Sequence, residues 1–248
     1  MNSTSLSVAI ARELAPTGRL RVAINLGNSV LAQSDPATGA PGGVTVDLAR
    51  RLGENLGLPV DFSTFKSAGT AFDALKSGAI DIVFLAVDPV RAEYVAFTEP
   101  YVLIEGIFLV AVESGLHDIG NIDRPGVRVA VARGSAYDLF LTRELKAATL
   151  VRMPTGEGAL QTFVDDKLEA AGGVRQPILK FMASHANLRM IEPPFMQIRQ
   201  AMGTAQGRPA AAAYLRVFIE EAKASGFVME ALLRSGQNDV AVAPLSAA

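Results

Sequence analysis

Short apolar runs of four to eight residues, several rich in β-branched side chains, alternate along this chain with segments whose apolar residues recur every three or four positions. Runs of that length suit strands buried on both faces, and the intervening period suits amphipathic helices, so the alternation predicts parallel sheets with crossover helices. In the first half it predicts strands at 20–24, 58–62 and 80–87 and helices at 44–57 and 69–78. In the helix at 44–57, Val46, Leu48, Ala49, Leu52 and Leu56 form one stripe, and Gly57 with Pro59 ends it. A second, similar series follows: strands at 127–132, 149–153 and 188–192, helices at 135–145, 158–168 and 176–185, and a short apolar piece "EAAGGV".

Two further stretches, "EGIFLVAVESGL" (105–116) and "FMQIRQAMG" (195–203), are extended in pattern and lie between the series and after the second one. They are expected to be two crossings between two α/β lobes. The first lobe is then discontinuous, 1–107 plus 200–248, and the second is 108–199. Helices at 208–226 and 228–236, with Ala212, Leu215, Ile219 and Ala222 inward, are expected to return to the first lobe.

Composition narrows the functional classes. Half of the 248 residues are hydrophobic, and 23 basic against 25 acidic residues, with no run of like charge, give no footprint for nucleic acid. There is no cysteine, which removes disulfides, thiolate nucleophiles and the usual zinc sites. No apolar run approaches the roughly 20 residues of a membrane span, and the first 18 residues do not read as a secretory leader. The chain is expected to be soluble and not membrane-spanning.

Signatures of common chemistry are missing too. The sequence has no G-x-S-x-G elbow, no Walker-type loop, no H-E-x-x-H and no G-x-G-x-x-G after a strand. Its two histidines, His117 and His185, fall in separate segments that read as surface. No metal, cofactor or catalytic residue is expected.

In open α/β sheets ligands bind beyond the carboxyl ends of strands, so the residues following each run were inspected. After 20–24 comes "NLGN", whose amides, Asn28 among them, suit a cleft. After 80–87 comes "DPVR": Asp88 can cap a short helix, Pro89 suits its first position, and Arg91 can point back at the strand ends. After 127–132 comes "RGSAYD", a helix start whose backbone N–H groups, at Gly134, Ser135 and Ala136, can meet an anion. A guanidinium grips a carboxylate through two parallel hydrogen bonds, so a small carboxylate fits this set. Spacing alone leaves open that Arg91 forms a surface ion pair with Glu93 or Glu99, and that Ser135 is a simple helix cap.

Several ordered pieces, "VTVDLARRLGENLGLPVDF", "FDALKSGAIDIVF", Arg91 followed by "VAFTEPY", and "GVRVAVARGSAYDLFL", resemble the extracellular solute-binding proteins of family 3, the polar amino acid binding components of ABC transporters. The resemblance runs from about Leu20 to Gly236. It implies a periplasmic-binding-protein type II fold, two α/β lobes joined by two hinge strands, that closes on a small-molecule ligand and works with an ABC transporter permease in the periplasm. It also implies that Arg91 grips the ligand carboxylate, with Ser135 and the backbone of Gly134 and Ala136 sharing the task. A monomer is expected.

The chain departs from the family pattern at two places. Asp88 stands where the family usually has Thr. Val174 stands where the resemblance implies an aspartate that binds the ligand's α-amino group, and Arg175 follows it. An ammonium would then need another partner, Asp88 or Glu105, or else the ligand has no amine and Arg175 meets a second carboxylate. Two other functions share the fold: a cyclohexadienyl or arogenate dehydratase-like enzyme, for which Glu105 or Asp88 would be the general acid, and a stand-alone ligand sensor.

Overall fold

The computed structural model of the protein describes residues 3–246. The first 14 residues, to which the hydrophobic pattern assigns no element, form helix α1 (Ser3–Leu14), whose Ile10 and Leu14 are buried. Then follow β1 (Leu20–Asn25), a two-stranded ribbon of β2 (Gln33–Ser34) and β3 (Pro41–Gly42), α2 (Val44–Leu56), β4 (Val60–Phe65), α3 (Ala68–Lys76), β5 (Ile82–Ala86), the short α4 (Pro89–Ala92) and the long β6 (Val95–Ala111). The chain continues through α5 (Ile119–Ile122), β7 (Arg128–Ala132), α6 (Ala136–Glu144), β8 (Thr149–Met153), α7 (Gly156–Asp165), β9 (Ala170–Val174), α8 (Arg175–Met182) and a second long strand, β10 (Leu188–Ala205). It ends with α9 (Pro209–Ala224), α10 (Phe227–Arg234) and β11 (Ala241–Val242).

Two compact units result: one of Met1–Leu103 with Arg199–Ala248, the other of Ile104–Ile198. The chain passes between them inside β6 and again inside β10, a few residues from the boundaries at 107 and 199 that the sequence pattern suggests.

In the first unit β1 pairs in parallel with β4 and β5, β10 adds antiparallel to β5, and β11 adds antiparallel to β6. All of β5 is buried, which explains its unbroken apolar sequence. The stripe of α2 buries Val46, Leu48, Ala49 and Leu52, while Leu56 lies only half-buried in the last turn. Gly57 closes that helix at φ 63°, a left-handed conformation that costs a glycine little, and it lets Leu58 N–H reach the Gly53 carbonyl at 2.9 Å.

Around β5 lie the ends of two sequence motifs. Asp81, the aspartate of "SGAID", is fully buried and accepts from Arg21 Nε (2.7 Å) and Nη2 (2.9 Å) and from Arg208 Nη1 (3.0 Å). Thr98 of "FTEPY" accepts from Met202 N–H at 3.2 Å and thereby ties β6 to β10. Both motif residues hold the framework together.

In the second unit β7 lies between β8 and β9, parallel to both, and β9 pairs antiparallel with β6. "EAAGGV" is therefore the strand β9, although its alanines and glycines carry little strand preference. Small side chains fit because α6 and α8 lie close above it: a Cβ on Gly172 would stand 3.2 Å from Leu141 and one on Gly173 3.1 Å from Ile178.

Candidate functional site

In the first unit, the turn after β1 is built by its own side chains. Asn25 Oδ1 accepts from Gly27 N–H at 3.0 Å, and Asn28 Oδ1 accepts from Val30 N–H at 3.3 Å. Gly27 is required here, since a Cβ would lie 2.3 Å from the Lys66 carbonyl oxygen. Asn28, expected to face ligand, spends its amide oxygen on this turn.

At the end of β5, Asp88 caps α4 by accepting from Val90 N–H at 2.9 Å, and Pro89 opens the helix. The helix turns Arg91 back on the strand, where its Nη1 donates to the Ala86 carbonyl at 3.0 Å. Arg91 is 1% exposed and stands among the largest fully buried side chains, so it is not the surface residue that one reading of the spacing allows; Glu99 pairs instead with Arg199 at 3.6 Å. Burial pushes the Arg91 guanidinium down to about 10, against the opposing pull of Asp88. Its surroundings thus disfavour the positive charge, and an anion beside it would recover that loss.

In the second unit the helix start after β7 differs from expectation. Ser135 caps α6, its Oγ accepting from Asp138 N–H at 3.0 Å. Asp138 reaches back so that its Oδ2 accepts from Gly134 N–H at 2.8 Å, and its Oδ1 accepts from Arg152 Nε at 2.8 Å. The Gly134 N–H expected to meet a ligand anion therefore already meets a carboxylate of the protein. The spacing Ser135-x-x-Asp138 has the form of a capping box, a signal the sequence reading passed over. Ala136 begins the helix proper, its N–H in the first turn, where no intrahelical carbonyl is in reach.

At the end of β9, Val174 occupies the cap position of α8 with no side-chain hydrogen bond. Arg175 follows and gathers two carboxylates: Nε pairs with Glu105, while Nη1 and Nη2 grip Glu192 at 2.7 and 2.9 Å. Glu192 is the leading cause of a raised Arg175 pKa, and Arg175 in turn holds Glu192 below the usual carboxylate range. Glu105 and Arg175, proposed from sequence as partners for ligand groups, thus serve each other, and neither Glu192 nor the pairing is visible in local spacing. The next residue, Gln176, places its Oε1 out of reach of solvent and of any hydrogen-bond donor among the described residues.

Among the described residues no cluster of three or more His, Asp or Glu side chains is placed to hold a metal, and no helix is long and apolar enough to cross a membrane. The arrangement offers one deeply buried cation, helix caps, and carboxylates engaged by arginines, which suits anion binding better than proton transfer.

Solved structures share this fold. An amino acid ABC transporter substrate-binding protein, AbpA, from Streptococcus pneumoniae bound to L-arginine is 16% identical, with 91% of this chain and 97% of that one covered and a TM-score of 0.77. An ancestral amino acid-binding protein, a precursor of cyclohexadienyl dehydratase, is 22% identical over 90% of this chain and 97% of that one, with a TM-score of 0.74. A histidine kinase sensor domain with similarity to periplasmic binding proteins is 21% identical over 91% and 98%, with a TM-score of 0.77. No curated protein sequence matches the chain. The fold is that of the type II periplasmic binding proteins. A family model matches residues 20–234, and the chain belongs to the bacterial extracellular solute-binding proteins, family 3.

Proposed function

We propose that the chain binds a small polar carboxylate, an organic acid or amino acid derivative, and presents it to an ABC permease without changing it chemically. The observation that carries this reading is Arg91, a guanidinium buried at the carboxyl end of β5 with its pKa lowered to about 10. A carboxylate there forms charge-assisted hydrogen bonds in a place where water competes little. Ser135, Ala136 and Gly134 on the second unit, and Asn28 and Asp88 on the first, remain the other proposed contacts. A ligand held by residues of both units favours the state in which both sets of contacts exist, and β6 and β10 would take up the bending.

An ammonium finds little welcome. Val174 is apolar, Glu105 is engaged by Arg175, and Asp88 caps α4. The same engagement leaves neither acid placed as the donor that a dehydratase would need.

The test is a thermal-shift screen of amino acids against amine-free carboxylates. Amine-free acids are expected to raise the Tm, and Arg91→Ala is expected to abolish that shift. A shift unchanged in Arg91→Ala would refute the assignment.

A further inference from the structure

The amide oxygen of Gln176 has no hydrogen-bond donor within reach and no access to water. Buried polar atoms in folded proteins are nearly always paired, and an unpaired one costs free energy, so the exception asks for a function. Gln176 is the second residue of α8, directly beyond the carboxyl end of β9, where parallel α/β units take their ligands. Around it every acid of the second unit's strand ends is engaged: Glu105 and Glu192 by Arg175, Asp138 by Arg152 and the Gly134 N–H. The one acceptor left waiting at this edge is uncharged.

We propose that Gln176 receives the ligand's second polar group and that this group is a neutral hydrogen-bond donor, a hydroxyl or an amide N–H, in place of an ammonium. This rests on the reading above, in which Arg91 holds the carboxylate. A neutral amide oxygen accepts from a hydroxyl at no cost in buried charge. An ammonium at the same place brings a full charge out of water with no carboxylate to meet it, a far larger penalty. Selection between hydroxy and amino acids of equal shape then falls to this side chain.

The experiment uses three matched sets of acids: lactate, alanine and propionate; 3-phenyllactate, phenylalanine and 3-phenylpropionate; and 2-hydroxyisocaproate, leucine and 4-methylpentanoate. Calorimetric titration of the full chain reads each affinity. In at least one set the hydroxy acid is expected to bind tightest and the amino acid weakest. Gln176→Leu is expected to lower hydroxy-acid affinity by about two- to tenfold, the range of one neutral hydrogen bond, while leaving the unsubstituted acid unchanged. Gln176→Glu, which supplies a carboxylate, is expected to turn the preference toward the amino acid.

If Arg91→Ala abolishes binding but the order of affinities is the same in wild type and both Gln176 variants, this proposal is wrong and the carboxylate reading stands. A Gln176→Leu protein that gains stability without ligand and keeps the wild-type order points to a buried water as the partner, which also overturns the proposal. Wild-type protein that binds the amino acid best, or binds none of the nine acids, overturns it as well. In the last case the carboxylate reading is judged separately by the Arg91→Ala comparison in the broader screen.

Discussion

Tyr101 shows how a residue can belong to a recognisable motif and still carry no chemistry. Its ring packs edge-on against Phe84 with centroids 5.9 Å apart, and its hydroxyl is buried without a partner. Burial alone drives that hydroxyl's pKa far above its ordinary value. The ring therefore does the work of the motif's last position. Tyr101→Phe is expected to leave stability unchanged or raise it by up to about 2 kcal/mol, because the lost group was desolvated and unpaired; a drop of more than 1 kcal/mol in urea unfolding would reveal a hidden partner. Arg91 is the opposite case. The sequence placed it correctly at a strand end, but only its burial separates a clamp from a surface ion pair, and burial depends on elements far away in the chain. Arg175 was legible as a helix-start residue and illegible as the centre of a trio, since Glu105 and Glu192 lie 70 and 17 positions away.

At the scale of elements, periodicity located most helices and strands because long apolar stripes and β-branched runs leave distinct patterns. It missed α1, where the pattern was read only for a leader, and it left β9 unnamed because alanine and glycine satisfy any buried element. Helix ends are fixed by local acceptors, and one loop is fixed by an aspartate far from any helix stripe. Asp123 accepts from the backbone N–H groups of Lys146 (2.9 Å), Ala147 (2.7 Å) and Ala148 (3.0 Å) and so pins the turn between α6 and β8. Those bonds, that of Ala147 first, hold its carboxyl below the ordinary 3.8. A folded pKa below the unfolded one means a contribution that is complete above about pH 3.8 and is lost as pH falls through the lower folded value. The three amides are expected to keep their hydrogen-exchange protection at pH 5 and to lose it in more acidic solution. An Asp123 carboxyl that titrates at or above 3.8 by NMR would contradict this.

At the scale of the whole molecule, the first unit is assembled from both ends of the chain, and Asp81 is where they meet. Its carboxylate joins β1 through Arg21 and the approach to α9 through Arg208, and the Thr204 hydroxyl donates to its carbonyl at 2.9 Å. Asp81→Ala leaves two partly buried guanidiniums without their shared anion and is expected to cost about 3–5 kcal/mol of unfolding free energy. Denaturant unfolding of the variant checks it, and a loss under 1 kcal/mol would mean the arginines find other partners. The motif aspartate was visible in sequence as a mark of the family, but its two arginines, 60 and 127 positions away, were not.

The placement of β10 against β5 has a consequence for the order in which the protein can be made. Gln200 to Thr204 pair with Ile82 to Ala86, yet these segments leave the ribosome more than a hundred residues apart. The second unit, contiguous in sequence, is complete before the first can be. Until β10 arrives, β5 presents an uncovered, wholly apolar edge, the kind of surface on which nascent chains stick to one another. Expression of this protein therefore depends on how well the cell shields that one strand while the remaining third of the first unit is still being synthesised.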